Sequence, residues 1–144
     1  MLTDAQKREL DSLHYTFARD GYIYYLNEGT TYAIRVRDDD SPEKCANIAP
    51  SALASFFDDP DREYLYTLSD IQPTPETLKG MKYFYFGKGQ QTLDARLIRK
   101  VRKIMGTSCL FYPGKGWLSP VYARNGQGME AIIMPLRKNE ASQQ

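Results

Sequence analysis

Apolar residues recur along the chain at two spacings, and each spacing predicts a different kind of element. Near the N-terminus, Leu10, Leu13 and Phe17 recur every three or four residues, as they would on one side of a helix. Thr3 or Asp4 offers a side-chain oxygen that can cap the first turn. We therefore predict a first helix that begins there and runs to about residue 19.

Short runs rich in aromatic residues predict strands. The chain has eleven Tyr and six Phe, several of them in runs at residues 22–25 and 83–86. Strands are predicted at residues 22–27, 31–37, 63–68, 81–86, 108–112, 118–123 and 130–136. Polar and glycine-rich turns at residues 27–30, 113–116 and 125–128 separate neighbouring strands, which predicts antiparallel pairing.

Two more helices complete the pattern. A short one is predicted over residues 50–57, with Pro50 at its start, and a longer one over residues 92–105, ended by Gly106. The second half of the chain then has the order β-α-β-β-β. The predicted fold class is α+β, with antiparallel strands in a single domain of 144 residues.

The helix at residues 92–105 has an unusual charge pattern. At about 100° per residue, one arc collects the apolar side chains Leu93, Leu97, Ile98, Val101, Ile104 and Met105. The opposite arc collects Arg96, Arg99, Lys100 and Lys103, with Arg102 on its flank. Like charges four residues apart repel each other, so this arc is expected to meet an external polyanion, DNA above all. The alternative is that acidic residues of the N-terminal half neutralise it.

Charge is also divided between the two halves of the chain. Residues 1–72 hold fourteen acidic and seven basic residues, a net charge of −7, whereas residues 73–144 hold four acidic and twelve basic residues, a net charge of +8. The Pro-rich connector at residues 71–75 lies where the sign changes. The domain is therefore predicted to have an acidic N-terminal half and a basic C-terminal half that share one core.

Residues suited to catalysis or metal binding are scarce. The chain has one histidine, His14, in the predicted first helix, and two separated cysteines, Cys45 and Cys109, which are expected to be free thiols. The three consecutive aspartates at residues 38–40 lack the spacing of a calcium loop, and neither Gly-Lys-Gly turn has the spacing of a phosphate loop. We predict no metal, no cofactor and no enzymatic activity.

Membrane insertion and secretion are not indicated either. No apolar stretch approaches the roughly 20 residues that a spanning helix needs. The first residues lack the apolar core of a signal peptide. The expected location is the cytoplasm.

The C-terminal half contains a series of short motifs in a characteristic order. They are Leu93-Asp94-Ala95-Arg96-Leu97-Ile98, Ile104-Met105-Gly106, Leu118-Ser119-Pro120-Val121-Tyr122 and Glu130-Ala131-Ile132-Ile133-Met134-Pro135-Leu136-Arg137. Residues 81–137 thereby resemble the last domain of the sliding clamp of bacterial DNA polymerase III, its β subunit. The resemblance covers about 57 of the 144 residues, and the chain is long enough for only one of the three domains of a clamp subunit.

The resemblance implies a fold and two surfaces. The fold is a single clamp-like domain of two β-α-β-β-β units, with antiparallel sheets and with helices on one face. The basic arc would lie on the inner surface of a ring and bind the DNA backbone without reading bases. Met134, Pro135, Leu136 and Arg137 match residues that help to form the clamp's groove for peptides of replication proteins.

Two functions follow as hypotheses. In the first, the protein is non-enzymatic and clamp-like, binds double-stranded DNA non-specifically or acts with replication proteins, and self-associates. In the second, it is a clamp-domain mimic or a small mobile-element protein that binds a replication or defence protein. An enzyme of unfamiliar type is the least favoured class.

Overall fold

The computed structural model describes residues 2–37, 47–58, 72–78, 81–86, 91–106, 109–112 and 119–136. These residues contain three helices and nine strands. The helices are α1 (Asp4–Asp11), α2 (Ser51–Phe57) and α3 (Ala95–Met105). The strands are β1 (Tyr15–Arg19), β2 (Tyr22–Leu26), β3 (Tyr32–Arg37), β4 (Gln72–Leu78), β5 (Met81–Phe86), β6 (Gln91–Asp94), β7 (Leu110–Tyr112), β8 (Val121–Arg124) and β9 (Met129–Ile133).

The first helix is shorter than the sequence pattern predicts. α1 begins as expected, because the Thr3 hydroxyl accepts a hydrogen bond from the backbone N–H of Gln6 while the Gln6 side chain accepts one from the N–H of Thr3. It ends at Asp11, however, and residues 15–19 form β1. The prediction of one helix to residue 19 is wrong. The physical reason is that β1 gains a full antiparallel ladder with β2.

A two-residue turn closes the hairpin of β1 and β2. Arg19 pairs with Tyr22, and both Asp20 (φ 51°) and Gly21 (φ 83°) between them have positive φ. This backbone suits the right-handed twist of antiparallel strands, and Asp-Gly is one of the residue pairs that adopt it most readily. The predicted hairpin of β2 and β3 is confirmed. Across its turn, the side-chain oxygen of Asn27 accepts hydrogen bonds from the backbone N–H groups of Thr31 and Tyr32.

Six strands from both halves of the chain form one antiparallel sheet, in the order β1-β2-β3-β9-β8-β7. The order is symmetric about the pair β3 and β9, so the sheet joins two three-stranded meanders. Each meander follows a helix, which gives two α-β-β-β units. β4, β5 and β6 form a separate three-stranded sheet. The central sheet thus takes three strands from each half of the chain, and the α+β class is confirmed.

Each face of the six-stranded sheet carries its own hydrophobic core. α1 and α3 pack on the first face, where Ile34, Phe111, Met129 and Ile133 are fully buried with the inner side of α3. α2 packs on the second face through Phe57, against Tyr24 and Ile132. Two helices therefore share one face, as expected, but α2 lies on the other. The prediction of helices on one face is wrong for α2, because the second face is itself apolar and has to be covered.

A buried ion pair crosses the second face. The guanidinium of Arg35, whose residue is 4% exposed, pairs with both oxygens of Glu130 at 2.8 and 3.0 Å and with Asp58 at 2.9 Å. The Tyr122 hydroxyl donates a hydrogen bond to Glu130, and the Arg35 guanidinium lies 4.1 Å from the ring centroid of Tyr22. Burial by itself would lower the pKa of Arg35, but the hydrogen bonds to Glu130, Asp58 and Tyr24 raise it overall, so the charge is permanent.

Two predictions in the second half assign residues to the wrong kind of element, and the last strand ends at Ile133 instead of residue 136. The predicted helix start at residue 92 is wrong, since residues 91–94 form β6 and pair with β5, so α3 begins at Ala95. The predicted connector at residues 71–75 is also wrong in part, because β4 starts at Gln72 and pairs with β5. The predicted strand at residues 63–68, the three aspartates at 38–40 and both Gly-Lys-Gly turns lie outside the described residues.

Candidate nucleic-acid interface

The ends of α3 are defined by two residues. At the start, a carboxylate oxygen of Asp94 accepts a hydrogen bond from the backbone N–H of Arg96 at 2.8 Å, which caps the helix. At the end, Gly106 has φ 92°, a conformation that other residues adopt only with strain, and its N–H donates to the carbonyl of Arg102. Cap and stop confine the helix to eleven residues.

The two arcs of α3 are separated in space as the sequence predicts. Ile98, Val101, Ile104 and Met105 are buried in the core on the first face of the sheet. Arg96, Arg99, Lys100 and Lys103 are exposed. Burial of the apolar arc orients the helix, because each such side chain stabilises it by roughly 1.5–3 kcal/mol. The four exposed cations are held outward as a result, and we refer to these four residues as the basic face.

Two cations of the basic face have acidic partners. The Arg96 guanidinium contacts the Asp94 carboxylate at 2.9 Å, and the Lys103 ammonium lies 3.3 Å from a carboxylate oxygen of Glu9 on α1. Arg99 and Lys100 form no ion pair with any residue in the described ranges. The alternative to an external anion was neutralisation by the acidic half of the chain. Among the described residues, the acidic half neutralises Lys103, through Glu9, but neither Arg99 nor Lys100.

Arg102 lies apart from the basic face. It is half-buried on the flank of the helix, and its Nε is buried without a hydrogen-bond partner. The flank position predicted from the helical period is confirmed. Because part of its guanidinium is enclosed, Arg102 is less able to follow a phosphate than its exposed neighbours.

The cations at the start of α3 also act on the capping carboxylate. Burial works to raise the pKa of Asp94, but hydrogen bonds from the Arg96 side chain and backbone, together with the charges of Arg96 and Arg99, lower it overall. A carboxyl group whose pKa is lower in the folded state than in the unfolded state stabilises the folded state. This stabilisation is fully present at pH values above the pKa of the unfolded state, about 3.9. This contribution is lost as the pH falls below that value and through the folded pKa.

We expect Asp94→Asn to flatten the acid side of the stability profile. Asparagine caps helices about as well as aspartate, so the cap is kept while the titrating charge is removed. The measurement is urea unfolding at several pH values between neutrality and about pH 2.5, below the ordinary carboxyl pKa. The exposed Asp11→Asn variant is the control and should follow the wild type. An unchanged acid slope in Asp94→Asn would contradict the assigned role.

The other predicted surface, the segment after β9, is tied to the fold by its backbone. The N–H of Met134 donates to the carbonyl of Thr31, and the N–H of Leu136 donates to the carbonyl of Thr92, both at 2.8 Å. Met134, Pro135 and Leu136 are half-buried, and Met134 packs against the core on the second face. Arg137 lies outside the described residues. The segment is thus held beside β6, the strand that leads into α3, and part of its apolar surface is already covered.

A cleft of about 450 Å³ runs along the flank of α3, between the end of α1 and the turn that joins β2 to β3. Lys100 and Lys103 of the basic face form one side of it. His14, predicted within a helix, instead lies between α1 and β1, where it lines the cleft. Sequence reasoning missed this site, since its walls come from three separate segments that only the fold brings together.

Other chemistry is limited in the part of the chain that the structure describes. No group of three His, Cys, Asp or Glu side chains there could hold a metal ion. Cys109 is a free thiol, as predicted, and burial raises its pKa; Cys45 lies outside the described residues. None of the described helices is long and apolar enough to cross a membrane.

Comparison with models of protein families, with curated proteins and with solved structures found no match to this chain.

Proposed function

We propose that the protein is a non-enzymatic, clamp-like DNA-binding protein that holds the duplex backbone through the basic face of α3. The observation that carries the proposal is the pair Arg99 and Lys100, two adjacent exposed cations without ion pairs to described residues, between the similarly exposed Arg96 and Lys103. Such an arrangement is costly in an isolated helix, because like charges four residues apart repel each other. A phosphate backbone removes that cost.

The dimensions of the basic face suit a duplex. Residues 96–103 span about 10 Å along a helix axis. Duplex DNA carries one negative charge per roughly 1.7 Å of its length, so this span faces about six phosphates. Each of the four cations of the basic face can therefore lie near a separate phosphate. The exposed arc carries only Arg and Lys, which contact phosphates, and lacks the Asn or Gln that reads adenine. Because Arg and Lys can also read guanine, a comparison of two duplex sequences is needed to separate backbone contacts from base contacts.

The arrangement of helices supports the clamp-like part of the proposal. The two α-β-β-β units place α1 and α3 on the same face of the sheet, where Glu9 of α1 contacts Lys103 of α3. This agrees with the plan of a clamp domain in the pairing of two helices on one face of a sheet, and differs from it in that α2 covers the other face. A closed ring from so small a unit would require several copies. The location that we propose with this function is the cytoplasm. The alternative, an interaction protein acting through Met134 and Leu136, is less favoured because both residues are half-buried.

Salt dependence tests the proposal. We expect the logarithm of the association constant for duplex DNA to fall with the logarithm of salt concentration with a slope of about −3.6, if all four cations contact phosphates. Fluorescence anisotropy on two duplexes of unrelated sequence provides the measurement, and the two affinities should agree within a few-fold. A slope near zero would exclude phosphate binding. An affinity about a hundredfold higher for one of the two duplexes would indicate that the protein recognises bases and does not bind through the backbone alone.

A further inference from the structure

The cleft beside α3 is lined by groups of both charges. Lys100 and Lys103 of α3 line it together with Glu28 of the β2–β3 turn. Lys103 is paired with Glu9 of α1, which also lines the cleft. Lys100 and Glu28 are exposed and form no ion pair with a described residue. The cleft therefore offers a cation and a carboxylate, contributed by two different segments, that are both available to a ligand.

Tyr32 adds a third polar group. The residue lines the cleft although it is only 4% exposed, and its phenol forms no hydrogen bond with any residue in the described ranges. Burial, and then the negative charge of Glu9, raise the pKa of Tyr32, so the hydroxyl stays protonated and can donate. The hydroxyl oxygen itself is reached by solvent from the cleft, because Arg102 Nε is the one fully buried side-chain nitrogen or oxygen without a partner among the described residues. It is therefore available to donate a hydrogen bond to a ligand in the cleft.

Apolar surface lies beside these groups. The half-buried Leu13 lines the cleft, as does Ile104, a core residue that is 3% exposed. A volume of about 450 Å³ lies within the usual range for small-molecule sites. The ligand that matches has an anionic group for Lys100, an apolar body and a hydrogen-bond donor for Glu28.

We propose that this cleft binds a single nucleotide, with its phosphate at Lys100 and its base edge at Glu28. The carboxylate of Glu28 would accept a hydrogen bond from an exocyclic amino group, as carboxylates do with cytosine. The Tyr32 hydroxyl would donate to a sugar or base oxygen or ring nitrogen, and the base would lie against Leu13 and Ile104. Inorganic phosphate alone satisfies only the lysine side and leaves Glu28 repelling it.

The nucleotide can come from solution or from the unpaired end of a DNA strand. Either source presents the same chemistry, and the strand end would link the cleft to the adjoining basic face. The inference does not depend on duplex binding, because Glu28 and Tyr32 are not part of the basic face. The two proposals can therefore fail separately.

Titration with deoxyadenosine monophosphate, followed by amide chemical shifts of the full chain, tests the inference. We expect saturable shifts at residues of the cleft, and about fivefold weaker binding in Tyr32→Phe, which removes one neutral hydrogen bond. Glu28→Gln should weaken binding by about tenfold, because it removes a charged acceptor. Thymidine monophosphate, which has no exocyclic amino group, should bind more weakly than the adenine nucleotide.

Matched controls separate the outcomes. Asp11→Asn removes an exposed carboxylate of α1 outside the cleft and should leave nucleotide binding unchanged. A blunt duplex should bind Tyr32→Phe and Glu28→Gln as it binds the wild type, whereas a duplex with an unpaired 3′ adenine should lose its added affinity in both variants if strand ends are the source. If only free nucleotide responds, solution is the source. Inorganic phosphate as effective as the nucleotide, or unchanged affinity in both variants, would overturn the inference.

Discussion

Replacing Arg99 and Lys100 together by alanine is expected to lower the affinity for duplex DNA about 200-fold at about 50 mM salt. The variant removes the two exposed cations of α3 that have no ion pair with a described residue. Each lost phosphate contact reduces the salt slope by about 0.9, so the slope should fall from about −3.6 to about −1.8. Phosphate contacts contribute little to affinity at about 1 M salt. Between that concentration and about 50 mM, a slope difference of about 1.8 amounts to a difference in affinity of about 200-fold.

This loss would not reflect unfolding. Lys100 lies four residues after Arg96, and Arg99 lies four residues before Lys103, so both substitutions relieve like-charge repulsion within α3. Alanine also has a higher helix propensity than either residue. The thermal midpoint of the double variant should therefore equal or exceed that of the wild type.

A control with the same change of charge is available on the second face of the sheet. Arg37 and Arg124 are both exposed and lie at the ends of β3 and β8, near the rings of Tyr22 and Tyr112. Their joint replacement by alanine also removes two positive charges but leaves α3 intact. Fluorescence anisotropy should show a much smaller loss of affinity. Equal losses in the two double variants would mean that net charge, and not the basic face, determines binding.

Glu130→Ala is expected to destabilise the protein by about 3–5 kcal/mol. The substitution removes the bidentate partner of Arg35 and leaves a guanidinium that is 4% exposed with a reduced set of acceptors. The Tyr122 hydroxyl loses its acceptor at the same time. A buried charge without compensation is unfavourable because the protein interior solvates it poorly.

Asp58→Ala is the informative comparison. Asp58 contacts the same guanidinium at 2.9 Å, but its side chain is 62% exposed, so water replaces much of what the substitution removes. We expect a loss of about 1 kcal/mol or less for this variant. Urea unfolding of both variants measures the difference. Similar losses for Glu130→Ala and Asp58→Ala would show that the exposure of the acidic partner does not control the strength of its contact with Arg35.

Part of the fold could be predicted from the sequence because it depends on local periodicity. The division of α3 into an apolar and a basic arc is a property of eleven consecutive residues, and burial follows it except at Leu97 and Arg102, which are both half-buried. The same holds for the β2–β3 hairpin and for the turn at Asn125, whose side chain accepts hydrogen bonds from the backbone of Gln127 and Met129. In these places local chemistry and tertiary packing favour the same structure.

The strand β1 shows where periodicity misleads. Phe17 continues the three-to-four spacing of Leu10 and Leu13, which favours a helix, whereas Asp20-Gly21 between aromatic runs is a strong hairpin signal. In the structure Phe17 packs on the second face of the sheet, and Leu10 and Leu13 pack on the first. A spacing of apolar residues cannot show that its members belong to different cores.

The sequence alone thus determined that the protein has a helix with one basic side, flanked by antiparallel strands, since these features arise within short segments. Only the tertiary structure decided which of those cations remain available, because Glu9 reaches Lys103 through the packing of α1 on α3. The cleft beside α3 and the Arg35–Glu130 pair likewise depend on segments up to 95 residues apart. Contacts at such separations are set by the pairing of β3 with β9, which no local pattern specifies.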